Sequence, residues 1–260
     1  MSKNKLRIGV YGLTGCAGDQ LTILNCEDRL LKLFETVDVR SFLMAKSDNL
    51  EEELDIALVE GSVSTRSDEE SVINIRQRTG SLVAIGICAC FGGIQAVFTE
   101  PEEWAKQYEQ VYGNRSVSSN AALQSRPVKA FVKVDYYLPG CPIHKEQFLA
   151  LLSRLALGST PEFHRAPVCL ECKWQENDCL LNKNVLCLGP LTTAGCGAIC
   201  PTCNLPCVGC WGPFEEANCW SEWNLLLDKD YDRNIIMQKM KSFSGTGFIQ
   251  FFNTMKKERT

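Results

Sequence analysis

Ten of the fifteen cysteines lie between Cys169 and Cys219. The run after Pro167 reads VCLECKWQENDCLLNKNVLCLGPLTTAGCGAICPTCNLPCVGC. Few apolar residues separate its thiols, and Gly and Pro are frequent. Such a segment is not expected to pack a hydrocarbon core. It is expected to fold around something else, and metal held by thiolates supplies folding energy of that kind. The spacing opens with the C-x-x-C pair Cys169 and Cys172, followed by Cys179 and Cys187. A second set follows as Cys196, Cys200, Cys203, Cys207 and Cys210. Two groups of four thiolates suit two 4Fe-4S clusters or two zinc ions equally well on spacing alone. Cys203 and Cys219 are then left over.

An odd number of cysteines excludes full pairing within one chain. Met1–Lys5 leads into only a short apolar run, Leu6–Leu13, without the cleavage pattern of a signal peptide. No stretch is long and apolar enough for a membrane helix. The expectation is a cytoplasmic protein with reduced thiols, in which dense cysteine signals metal or redox chemistry. The formal net charge of -4 argues against a nucleic-acid partner held by phosphate attraction.

The other five cysteines, Cys16, Cys26, Cys88, Cys90 and Cys141, are scattered through the first 168 residues. This shift in density suggests two domains, 1–160 and 161–260. The first reads as α/β. Strand-like runs at Lys5–Leu13, Val37–Met44, Asp55–Val59, Ser81–Ile87 and Lys129–Leu138 alternate with helical patterns at Gln20–Phe34, Asp68–Arg78 and His144–Leu157. Residues 96–128 read as a helix plus a long loop. The alternation predicts a flavodoxin-like, doubly wound parallel sheet. After the cysteine-rich segment, Phe214–Asp228, Asp232–Phe243 and Thr246–Lys257 read as C-terminal helices. Trp220, Trp223, Phe248, Phe251 and Phe252 give them an apolar surface to pack on the sheet domain or on a partner.

In an open parallel sheet, ligands sit beyond the carboxyl ends of the strands. Three cysteine-bearing loops, at Cys16, Cys88-Ala89-Cys90 and Cys141, are expected to meet there with the acidic loop Glu60-Gly61-Ser62. The glycines of these loops permit close backbone approach to a bulky inorganic group. Gly9, Gly12, Gly15 and Gly18 do not form a dinucleotide fingerprint, and there is no P-loop. One of Cys88 and Cys90 is expected to face the site and the other the core, since strand-like alternation points them apart. Cys26 lies two helical turns beyond Asp19 and reads as core.

These residues resemble the small, electron-transferring subunit of NiFe hydrogenases over essentially the whole chain, closest to the cytosolic delta-type branch of archaeal sulfhydrogenases. The matching elements are the Cys16 loop, Glu60-Gly61-Ser62-Val63, Gly86-x-Cys88-Ala89 with Gly92-Gly93, and Pro139-Gly140-Cys141-Pro142. Cys187-Leu188-Gly189-Pro190 and Gly195-Cys196-Gly197-Ala198 complete the set. The resemblance implies three 4Fe-4S clusters in a row. The proximal one would use Cys16, Cys88 and Cys141, the medial Cys196, Cys200, Cys207 and Cys210, and the distal Cys169, Cys172, Cys179 and Cys187. Periplasmic relatives carry His in place of the first distal cysteine, a three-iron medial cluster and a twin-arginine signal. Cys169, the additional Cys200 and the N-terminus seen here fit the cytosolic branch.

The family pattern at the first loop is C-x-x-C, and here the second position is Asp19. Asp19 is expected to be the fourth proximal ligand through a carboxylate oxygen, a harder donor than thiolate. The alternatives are that Asp19 caps the helix beginning near Gln20 and leaves a three-cysteine site, or that it ligates in one redox state only. By resemblance Glu60 lies near this cluster and the large-subunit interface, with a proton or loop-orienting role, or else it is a capping or surface carboxylate. His144 and His164 read as surface residues without a role.

The resemblance makes the chain a non-catalytic electron-transfer subunit of an oxidoreductase, since nothing in it can split dihydrogen. The implied partners are a NiFe hydrogenase large subunit and flavin- and iron–sulfur-containing NAD(P)H-linked subunits, in a heterotetramer, with no nucleic acid and no membrane. The implied chemistry is H2 oxidation or evolution with NADP, and sulfur or polysulfide reduction as a second acceptor reaction. Three other readings stand beside it. One is a zinc-stapled scaffold without redox role, another is a relative of the respiratory complex I cluster subunit, and the third is a stand-alone ferredoxin-like carrier.

Overall fold

The computed structural model of the chain describes residues 5–27, 29, 32, 35–113, 122–161 and 166–257. Five parallel strands form the main sheet: β1 (Leu6–Gly12), β2 (Val37–Phe42), β3 (Leu54–Glu60), β5 (Thr79–Ile85) and β7 (Tyr136–Leu138). Their spatial order is β2-β1-β3-β5-β7. Counted along the sheet this is 2-1-3-4-5, the flavodoxin-like order. The central strand β3 is buried on both faces, as a strand between two helical layers must be.

On one face Ile8, Val10, Ile56, Leu58, Val83 and Ile85 pack against Ile23 of α1 (Gly18–Leu24) and Phe148, Leu151 and Leu152 of α5 (Lys145–Ala156). On the other, Ala57, Val59, Leu82 and Ala84 meet Val72 and Ile75 of α2 (Arg66–Gln77) and Ala89 and Cys90 of α3 (Gly86–Phe91). Helix α2 begins at a capping box. Asp68 N–H donates to Thr65 Oγ1 (3.1 Å), and Thr65 N–H donates to Asp68 Oδ2 (3.0 Å). Thr14 Oγ1 also donates to Asp68 Oδ2 (2.8 Å), tying the exit of β1 to this helix.

Several elements differ from expectation. The helix expected over Gln20–Phe34 is interrupted: α1 stops at Leu24, Asn25 caps it, Glu27 takes a positive φ of 51°, and Arg29, Lys32, Glu35 and Thr36 are helical again. Leu30, Leu31 and Phe34, like His164, lie outside the described residues. The strand expected over Lys129–Leu138 is only Tyr136–Leu138, preceded by a 3-10 turn at Val128–Ala130. Residues 96–128 contain α4 (Pro101–Tyr112) but also a strand, β6 (Ala122–Arg126), antiparallel to β4 (Val63–Thr65).

In the second half, α6 (Val168–Trp174) and α7 (Ile199–Thr202) carry parts of the cysteine array, and α8 (Cys219–Asp228), α9 (Arg233–Ser244) and α10 (Ile249–Lys257) follow. The expectation that this segment packs no hydrocarbon core is corrected: it packs one, but shared with the helices that follow. Val168, Leu180, Leu188 and Leu191 are buried with Trp223, Leu226, Ile236, Met240 and Phe252, so the C-terminal helices supply the apolar surface that the array lacks. The same helices reach the sheet region: Thr246 Oγ1 donates to the Phe91 carbonyl (2.6 Å). Among the described residues no helix is long and apolar enough to cross a membrane.

Register aligns Gly12 with Glu60, Glu60 with Ile85 and Ile85 with Leu138, so the carboxyl ends of four strands finish level. At this edge Gly61 has φ 93°, and a Cβ there would strike the Leu13 backbone. Gly61→Ala is therefore expected to destabilise the chain by about 2 kcal/mol or more. Chemical denaturation measures this; an unchanged midpoint would show that the edge tolerates a side chain.

Candidate functional site

Because those four strands end level, the segments after them meet. They are residues 13–19, 61–62, 86–88 and 139–143. Cys16 and Cys141 are exposed and Cys88 is half-buried. Burial pushes the Cys88 thiol up to about 12, although Gln95 accepts its hydrogen bond, and the nearby charges of Cys141, Asp19 and Cys16 add to the rise. Burial likewise raises Cys141, again with Asp19, Cys16 and Glu60 as its charged neighbours. The three expected proximal cysteines and Asp19 are thus brought together.

Cys88 and Cys90 do diverge, but on a helix rather than a strand. Residues two apart on a helix face different ways. Cys90 is fully buried, donates to the Ala84 carbonyl (3.5 Å) and is raised by burial. Cys26 is core as expected, donating to the Thr22 carbonyl (3.5 Å).

Asp19 is buried, and burial pushes its carboxyl up to about 7; the Ile143 hydrogen bond opposes this and the Glu60 charge adds to it. Its Oδ1 accepts from Ile143 N–H (2.7 Å). Its Oδ2 occupies the space a Cβ on Gly86 would fill, and Gly86 has φ 79°. Asp19 does not cap α1. The cap position is Ala17, which provides no side-chain acceptor. Glu60, buried at the end of β3, takes that role: Asp19 N–H donates to its Oε1 and Gln20 N–H to its Oε2, each at 3.3 Å. An anion suits the positive end of a helix.

The cysteine array resolves into two groups by the charges its thiols feel. Burial pushes Cys169 up to about 12, with Cys187, Cys172, Cys179 and Glu222 as charged neighbours. Cys210 is pushed up to about 12 by burial, with Cys207, Cys196, Cys200 and Cys141 as neighbours. The two groups touch where Cys207 N–H donates to Cys187 Sγ (3.3 Å). Cys141 joins the second group to the strand-end site. Cys203 is exposed and Cys219 half-buried, and neither is among these neighbours.

The thiolate-rich donor set fits iron–sulfur clusters. Glycine leaves room beside sulfur in the strand-end site and the first array group. A Cβ on Gly18 would lie 3.3 Å from Cys16 Sγ, one on Gly93 would strike Cys88 Sγ, and one on Gly189 would lie 3.2 Å from Cys169 Sγ. Among the described residues, no three Cys, His, Asp or Glu side chains converge as a single ion requires.

Residues 16–155 match the family described as NADH ubiquinone oxidoreductase, 20 Kd subunit. Nearly the whole chain is similar to the Sulfhydrogenase 2 subunit delta of Pyrococcus furiosus, 39% identical over 240 residues, covering 92% of this chain and 99% of that protein. It is also similar to a vhu subunit of the F420-non-reducing hydrogenase of Methanocaldococcus jannaschii, 29% identical over 243 residues, covering 82% of this chain and 83% of that one. Among solved structures, a chain of an NAD+-reducing NiFe-hydrogenase in the H2-reduced state aligns with TM-score 0.53 and 31% identity, over 62% of this chain and 96% of that chain.

Two carboxylates at the array escaped the sequence reading. Glu171 sits inside the first C-x-x-C pair. Glu222 stands between Trp220 and Trp223, and a charge there at core helical spacing was the available signal. Glu222 is 5% exposed, and its Oε1 is buried without a hydrogen-bond partner. Burial pushes its carboxyl from an ordinary 4.5 up to about 7. The unfolded chain releases this proton near 4.5, whereas the folded chain holds it to about 7. Stability therefore falls as pH rises across that window and stays low above it, by at most about 3 kcal/mol. Glu222→Gln is expected to remove this slope and raise the unfolding midpoint at about pH 8. Urea unfolding across the window checks it; parallel wild-type and variant profiles would refute the assignment.

Proposed function

The chain belongs to the NADH ubiquinone oxidoreductase 20 Kd subunit family and is a subunit of the NiFe-hydrogenase type, and on that premise we propose that it is the electron-relay subunit of a soluble NiFe hydrogenase complex. The observation that carries this reading is that three cysteine groups adjoin, with Cys141 among the neighbours of Cys210 and Cys207 N–H donating to Cys187 Sγ. We assign Cys16, Asp19, Cys88 and Cys141 to a proximal 4Fe-4S cluster. Cys196, Cys200, Cys207 and Cys210 hold a medial one, and Cys169, Cys172, Cys179 and Cys187 a distal one. Bound there, the clusters supply one-electron transfer between the nickel-iron site of a large subunit and a flavin/NAD(P)H module.

The chain's own residues fix how that path is built. Exposed Cys16 and Cys141 lie at the carboxyl edge, which a large subunit covers in this reading. Glu60 holds the first turn of α1 and so the position of Asp19. Asp19 Oδ1 accepts Ile143 N–H, and Oδ2, packed against Gly86, is the oxygen that would be left to hold iron. Residues 1–160 and 161–260 form the two units; the core clusters of the sheet and of the array fall on either side of that boundary. The resemblance to a sulfhydrogenase and to an NAD+-reducing enzyme supports a pyridine-nucleotide acceptor, which we take to be NADP, with sulfur a second acceptor.

Mononuclear zinc is the competing reading. A tetrahedral zinc is held by four ligands with Zn–S near about 2.3 Å, and the metal and labile sulfide content separate it from iron–sulfur clusters.

Anaerobically prepared protein is expected to carry about twelve irons with matching labile sulfide and to copurify with a large subunit. Two zincs without sulfide would overturn the relay. Asp19→Cys is expected to change the proximal electron paramagnetic resonance signal; an unchanged signal would remove Asp19 from the ligand set.

A further inference from the structure

The Gly195 peptide is gripped from both sides. Its N–H donates to Glu171 Oε1 (2.8 Å), and its carbonyl accepts from Gln147 Nε2 (2.9 Å). Its φ is 129°, and a Cβ there would strike the Gln147 amide and the Trp211 ring. Glu171 lies on α6, between Cys169 and Cys172, so it reaches from one cysteine group to the other. Its second oxygen, Oε2, lies 3.9 Å from Cys196 Sγ.

We infer that Glu171 is a positioning residue for electron transfer: its carboxylate fixes the Gly195-Cys196 loop and places a negative charge against the Cys196 sulfur, making the Cys196–Cys210 group harder to reduce than it would be without that charge. This inference rests on the ligand set proposed above. As a thiol, Cys196 donates to Oε2. As a thiolate ligand it has no proton to give, and the contact becomes repulsion between two negative groups. Adding an electron beside a fixed carboxylate costs more than adding it beside a neutral amide, and net charge and hydrogen bonds at the sulfurs set cluster potentials. In each transfer one electron leaves one cluster and arrives on its neighbour; the donor is oxidised by one, the acceptor is reduced by one, and no bond is made or broken. A medial site that is harder to reduce passes electrons on instead of storing them.

The test is a redox titration of the anaerobic holoenzyme, poised with dithionite and followed by electron paramagnetic resonance. Glu171→Gln keeps an acceptor for Gly195 N–H and removes the charge. It is expected to raise the reduced-to-oxidised ratio of the medial signal at a fixed potential at least about threefold. Glu171→Asp keeps the charge and is expected to stay near wild type. An unmoved medial signal in Glu171→Gln, or equal shifts in both variants, would overturn the inference and leave Glu171 a structural tie. Iron and sulfide counts on the same samples separate the failures. A wild type without the medial cluster refutes the ligand set and the inference together, whereas a full cluster with unmoved potential refutes only the role of Glu171.

Discussion

The carboxyl edge of the sheet turns on two buried carboxylates held by backbone N–H groups. Glu60 accepts the first free N–H groups of α1, a seven-residue helix whose own cap position offers nothing. Asp19, in that same first turn, accepts Ile143 N–H two residues beyond Cys141. Through these bonds the end of β3, the loop after β1 and the loop after β7 are locked to one another. Gly86 admits the arrangement because any side chain would displace Asp19. The positions of Cys16, Cys88 and Cys141 follow from this knot. Helix α1 presents its positive end to Glu60, whereas burial and the Glu60 charge push the Asp19 carboxyl up to about 7.

The second half solves a different problem. Its thiols, glycines and prolines leave too little hydrocarbon for a core of their own. Leu180, Leu188 and Leu191 from the array are covered instead by Trp223, Ile236, Met240 and Phe252 from the helices that follow. The array is therefore shaped from outside by packing.

Much of this was legible in the sequence. Parallel strands that must be buried on both faces read as continuous apolar runs, which is why β3 and β5 stood out and the strand order followed. What was missed depends on contacts between distant residues. Glu60 reads as a capping carboxylate among its alternatives, but nothing local says that the helix it caps lies some forty residues earlier. Cys88 and Cys90 were separated by the wrong periodicity, because Gly86 ends β5 and starts a helix where an apolar run seemed to continue. The short pair β4 and β6 is invisible to pattern reading, since β6 is polar and joined to its partner only through tertiary contact.

The core beneath the array has one further consequence, concerning the order in which the chain is made. Synthesis delivers the cysteines at 169–210 well before Phe248, Phe251 and Phe252, which complete the packing under them. The sheet can close while the ribosome is still working, as N-terminal units generally do. The array, by contrast, stays unsealed on its apolar side until the last helix emerges. The apolar side of the array is thus completed by residues made after all of its cysteines.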